Sequence, residues 1–215
     1  MADVARPRAL GSRSGRPSSS SEDIRYAMDI VVQPPRTARV GQNMPGSIVV
    51  RLRTTNAHPD DAVADSINLV AFATLVPGPN STGSTDPNVL NTLLAGRRVD
   101  SIHPFSDDEA DGSIASMDMA DPYGVGYVHF PELSIRQAGT YRIRITLIRI
   151  RPSASDPPVA TSGNGSTVHI IDSNPIVVNG GGPPSTLAAY NGDDDVDDGG
   201  WLEVLRSIQE RRRSQ

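Results

Sequence analysis

The chain has 215 residues, of which 37% are hydrophobic, and a formal net charge of −5 at pH 7. That length suits one well-buried domain with tails, and the absence of cysteine excludes both a disulfide framework and a thiolate zinc site. All 20 basic residues are arginine, a side chain suited to bidentate contacts with phosphate and carboxylate; with acids in excess overall, nucleic-acid binding needs a local basic face.

Residues 1–23 are rich in Arg, Ser, Pro and Gly with little apolar to bury, which predicts a disordered tail. The first apolar alternation is Tyr26 to Val32, with Tyr26, Met28, Ile30 and Val32 on one face. The second is Ser47 to Arg53, which sets Ile48, Val50 and Leu52 against Val49, Arg51 and Arg53. Ile67 to Val76 is almost wholly apolar, as expected of a central strand with both faces covered. It is too short to cross a bilayer as a helix. Residues 87–96 are the single short helix expected inside the domain, and residues 77–88 and 97–123 are expected to be surface excursions.

Within the second excursion, Ser106 to Asp121 carries acids and no base. Asp107, Glu109 and Asp111 alternate as calcium ligands do, but no closing bidentate Glu follows, so a solvated loop is expected. Strands follow at Gly124–Phe130, Thr140–Ile150, Ser166–Ile171 and Pro175–Val178. In the second of these, Tyr141, Ile143, Ile145 and Leu147 point inward, and Arg142, Arg144 and Thr146 outward. The phase slips after Leu147, which predicts a bulge or strand end. Gly139 followed by Tyr141 resembles a tyrosine corner, in which the hydroxyl ties the turn to the strand.

Residues 179–200 read as a Gly/Pro/Asp-rich linker. Residues 201–213 read as an amphipathic helix, with Trp201, Leu202, Leu205 and Ile208 at helical spacing between an acidic start and an arginine end. Seven strands with one internal helix indicate an all-β, immunoglobulin-like sandwich over residues 24–178. No apolar signal-peptide segment opens the sequence, and the sequons at Asn80 and Asn164 are expected to be chance matches, so a soluble intracellular protein is expected. There is no G-x-S-x-G, no P-loop, no full G-x-G-x-x-G and no His/Glu pair at metal-binding helical spacing. His58, His103, His129 and His169 are scattered along the chain. An enzyme, a cofactor, a resident metal and a small-molecule substrate are therefore not expected.

The segment GVGYVHFPELSIRQAGTYRIRITLI, Gly124 to Ile148, resembles the conserved block of the velvet family of fungal regulators. The residues that carry the resemblance there are Phe130, Pro131, Leu133, Arg136, Gly139 and Tyr141. YAMDIVVQPPRTARVG resembles the family's first block through Gln33, Pro35, Ala38 and Arg39. LLAGRRVDSIHPFSDDE and DSNPIVV resemble two further blocks, in order, across about residues 25–178. The resemblance implies a Rel-type immunoglobulin-like sandwich. It implies a nuclear protein, shuttling with the cytoplasm, that binds double-stranded DNA as a homodimer or with another velvet protein. It also implies control of fungal development, sporulation and secondary metabolism.

On that reading Arg36 and Arg39 contact DNA, with Arg51 and Arg53 as phosphate contacts and Arg142 and Arg144 as further candidates. The chain departs from the family where Thr37 replaces the first arginine of a pair, where the family's cysteine is absent, and where its basic loop shortens to an uncharged GQNMPGS. Those departures keep two alternatives open: a dimerisation subunit with little DNA affinity of its own, and an unrelated immunoglobulin-like interaction module.

Overall fold

The computed structural model describes residues 24–105, 122–150 and 165–180. The tail 1–23, the acidic segment 106–121, the Asn164 sequon, the linker beyond residue 180 and the helix at 201–213 lie outside the described residues. From the N-terminus come β1 (Tyr26–Val32), β2 (Thr37–Arg39), β3 (Ser47–Thr54), α1 (Pro59–Ser66) and β4 (Leu69–Pro77). Next are α2 (Pro87–Leu93), β5 (Leu94–Ala95), β6 (Val99–Ser101), β7 (His103–Pro104) and β8 (Gly124–Pro131). The last four are β9 (Ser134–Ile135), β10 (Gly139–Arg149), β11 (Ser166–Asp172) and β12 (Ile176–Asn179).

These strands form an all-β sandwich. One sheet runs in the order β1-β3-β8-β7 and the other β2-β12-β10-β4-β6, with β11 also on β10. β11 and β12 share one edge of β10 in succession, β12 on Gly139–Tyr141 and β11 on Arg144–Arg149. Between them the Ser173 hydroxyl accepts from the Ile143 N–H at 2.9 Å, so the gap leaves that donor satisfied. The sheets close over one core. Met28, Val50, Leu52, Val128 and Phe130 come from the first and Leu75, Ile143, Ile145 and Leu147 from the second, all buried.

β10 follows its alternation residue by residue, with Tyr141, Ile143, Ile145 and Leu147 buried and Arg142, Arg144 and Thr146 half-exposed. The register against β11 slips between Leu147 and Ile148, where the phase of the sequence changes. Tyr141 closes its corner by donating to the Ala138 carbonyl at 3.3 Å, and burial raises its pKa. Gly139 lies at φ 151, where a Cβ would press against the Tyr141 ring, so the corner requires glycine.

Three expectations need correction. First, β4 is not covered on both faces: Leu69, Ala71, Ala73 and Leu75 are buried, but Phe72 on the other side is 37% exposed. Second, residues 59–66 form α1, a second helix. Pro59 opens it, the His58 imidazole accepts from the Asp60 N–H at 3.3 Å, and Asp60 and Asp61 suit the first turn. Its buried positions are Ala62, Asp65 and Ser66, so no apolar stripe announces it. Third, residues 97–105 are not an excursion. They place β6 in the second sheet and β7 in the first, crossing the sandwich edge at buried Ile102.

α1 is fastened by a buried polar network. Asp65 accepts from the Tyr26 hydroxyl at 2.8 Å and from Arg149 at 2.7 Å, which ties the helix to β1 and to the end of β10. Burial and the neighbouring Asp65 carboxylate both raise the Tyr26 pKa.

Candidate functional site

The residues that carry the family resemblance build a scaffold. Phe130 and Leu133 are buried in the core, and Pro131 ends β8 opposite Ser47. The segment Leu133–Ile135 is held from two sides. The Met44 and Gly41 N–H groups donate to Leu133 and Ile135 at 2.8 Å each, and β5 pairs with β9. Arg136 is exposed, and its N–H donates to the Leu93 carbonyl at 2.9 Å. Gln33 accepts from the Asn174 N–H at 2.9 Å, joining the end of β1 to the break between β11 and β12. Pro35 is half-buried, and Ala38 packs against the core from β2.

The six candidate arginines fall on two opposite faces. Arg51 and Arg53 stand on the outer face of the first sheet, where both reach Asp29, at 3.4 and 3.3 Å. On the second sheet, Arg142 and Arg144 stand on the outer face of β10. β2 is the edge strand there, with Arg39 opposite Asn179 and Arg36 just before it, both exposed. The Arg36 carbonyl accepts from the Val177 N–H at 2.8 Å, which fixes the backbone at that edge.

Their electrostatics differ as well. Arg144 makes a bidentate pair with Asp172 at 2.7 and 2.9 Å. That pairing holds the Asp172 carboxyl below its ordinary value and raises the Arg144 guanidinium. Arg142 has a buried Nε with no hydrogen-bond partner among the described residues. It lines an open groove of about 550 Å³ together with Arg144, Asp172, Pro77 and Pro87. Arg39 makes no ion pair among the described residues, whereas Arg51, Arg53 and Arg144 are each engaged by an aspartate.

A second cluster gave no sign in the sequence. β6 carries Asp100 inward beside Ala71, β7 carries His103 opposite Tyr127, and β8 carries His129 two residues on. Asp100 Oδ2 lies 3.1 Å from His103 Nε2 and 3.2 Å from His129 Nδ1, and it accepts the His129 N–H at 2.9 Å. Asp100 Oδ1 accepts from Arg97 at 2.8 Å. Burial pushes the Asp100 carboxyl up, but the His103 and His129 rings and the His129 N–H outweigh it and leave the group well below the usual carboxylate range. Tyr127 stacks on His103 at 5.3 Å and Phe105 on Tyr127 at 6.1 Å, which walls the cluster with rings. Asp100 and His103 are close in sequence, but His129 belongs to a much later strand, and the three meet because the chain changes sheets at Ile102.

The fold and its surface define a β-sandwich module with arginines displayed on two outer faces. Its similarity to known proteins lies with regulators. The chain is 28% identical over 186 residues to the developmental and secondary metabolism regulator veA of Emericella nidulans, covering 76% of this chain and 30% of that protein. It is 25% identical over 191 residues to the developmental and secondary metabolism regulator VEL1 of Cochliobolus heterostrophus, covering 79% of this chain and 29% of that protein. No model of a known protein family matches the chain. The sandwich and the two matches together support a divergent member of the velvet family. The matched region spans about three tenths of each curated relative's length.

Proposed function

We propose that the chain is a velvet-type transcriptional regulator, acting in the nucleus on fungal development, sporulation and secondary metabolism, and binding double-stranded DNA as a homodimer or with another velvet protein. The similarity to two named regulators over about three quarters of the chain carries this reading. The surface favours one face for the contact. At the edge of the second sheet Arg36 is exposed just before β2 and Arg39 on it, and β12 fixes the backbone of both. Arg51 and Arg53 already share Asp29, so a phosphate would have to compete with that carboxylate.

A second reading is favoured by a specific observation. The loop between β2 and β3, where the resemblance leads one to expect basic residues, holds none, and Arg144 is committed to Asp172. On this reading the chain is a dimerisation subunit, and the partner supplies most phosphate contacts. Fluorescence anisotropy with duplex DNA, across a salt series and with and without a velvet partner, separates the two.

Binding by the chain alone is the expected outcome. Arg36→Ala with Arg39→Ala should then reduce the slope of log affinity against log salt by about 2, since each lost phosphate contact removes roughly 0.9. Binding only in the partner's presence assigns the subunit role. Absence of binding in both conditions overturns the DNA-binding reading.

A further inference from the structure

We propose that Asp100, His103 and His129 form a site for one divalent transition-metal ion, with zinc the best match, bound through Asp100 Oδ2, His103 Nε2 and His129 Nδ1. The three ligand atoms lie within 4.8 Å of one another. Two edges of that triangle are 3.1 and 3.2 Å. A tetrahedral zinc ion with bonds of about 2.0–2.1 Å separates its ligand atoms by about 3.3 Å. Two of the three separations thus already stand near the spacing that such an ion imposes, and the third lies within 4.8 Å.

Hydrogen bonding alone leaves the cluster incomplete. His103 Nε2 has Asp100 as a partner in good geometry. His129 Nδ1 is buried at 3.2 Å from the same oxygen, yet it makes no hydrogen bond of acceptable angle. Buried polar nitrogens are almost always satisfied, and an ion drawn between the three atoms would satisfy this one.

The surroundings are those of a built site. Arg97 holds the other oxygen of Asp100 at 2.8 Å, which fixes the carboxylate for binding through a single oxygen. The His129 N–H at 2.9 Å orients the liganding oxygen itself. Tyr127 stacks on the His103 ring and holds its plane. The His103 side chain is 18% exposed, so an ion has an approach and a fourth position can take water. Two imidazoles and one carboxylate select zinc and its neighbours over calcium or magnesium, which prefer all-oxygen sets. The Arg97 charge lowers affinity for any cation, so a single, moderately tight site is expected.

The test uses the untagged full chain, stripped with a chelator and titrated with Zn²⁺ against a chromogenic indicator, and in parallel with Co²⁺. The expected result is one zinc per chain, a melting temperature that rises with zinc, and visible cobalt absorption of a tetrahedral nitrogen/oxygen site. His103→Ala, at the open side of the cluster, should abolish all three, while His58→Ala and His169→Ala should keep them. Wild-type chain without stoichiometric zinc overturns the proposal, and so does undiminished binding by His103→Ala. If His103→Ala fails to fold, the wild-type stoichiometry and cobalt spectrum decide alone: their presence supports the site and their absence removes it.

Discussion

Arg149→Met tests whether the network under α1 is a buried ion pair in energetic terms. Arg149 is 13% exposed and Asp65 2% exposed, and Arg149 supplies the one cation contacting that carboxylate among the described residues. Methionine keeps the apolar stem and removes only the charge. The Asp65 carboxylate then keeps the Tyr26 hydroxyl at 2.8 Å and nothing of opposite sign. Leaving one member of such a pair buried and uncompensated costs about 3–5 kcal/mol.

In urea, with a slope of about 2 kcal/mol per molar, the unfolding midpoint followed by circular dichroism should fall by about 1.5–2.5 M. That is a large part of a total stability of about 5–15 kcal/mol. Adding Asp65→Asn removes the stranded charge and keeps an acceptor for Tyr26, so the double variant should recover most of the loss. A midpoint shift corresponding to less than about 1 kcal/mol, the scale of exposed pairs, would refute the reasoning. It would mean that water reaches Asp65.

Gly126→Ala should disturb the crossing between the sheets, because its Cβ would collide with the His103 carbonyl oxygen and approach Ile102. Overpacking of this kind costs about 1–3 kcal/mol; an unchanged urea midpoint would show that β7 moves aside freely. The Asp172 carboxyl, paired with Arg144, keeps its charge to lower pH in the folded chain than in the unfolded one. Its contribution is therefore complete above the unfolded value of about 3.9 and is lost as pH falls below it. Arg144→Met should flatten the decline in stability as pH falls below about 4, by a modest amount because the Arg144 side chain is 41% exposed. A decline as steep as that of the wild type would assign the acid sensitivity to other carboxylates.

Strand periodicity was legible wherever one face is apolar and the other is not. β1 ends where the alternation does, and the slip after Leu147 shows in both sequence and register. α1 was hidden because Ala62, Asp65 and Ser66 make a buried face without apolar side chains. β6 was hidden because its inward position is Asp100, so the pattern Val-Asp-Ser reads as a loop. The Asp100–His103–His129 cluster follows from that same crossing, and no spacing rule brings residues from β6 and β8 together. The arginines show the converse limit. Alternation tells which side of its own strand each one takes, but not that Arg51 and Arg144 belong to opposite sheets.

The pairing of β2 with β12 bears on how the arginine edge comes into being. Thr37 lies opposite Val177 and Arg39 opposite Asn179, so a strand near the start of the domain is held by the last described strand. On a ribosome, β1 has its partner β3, and β3 its partner β8, well before β12 has been synthesised, while β2 waits for it. Contacts of such long sequence separation are slow to form. The edge that displays Arg36 and Arg39 is thus the last part of the sandwich to be completed, and a nascent chain shows no ordered arginine edge until the domain around it is finished.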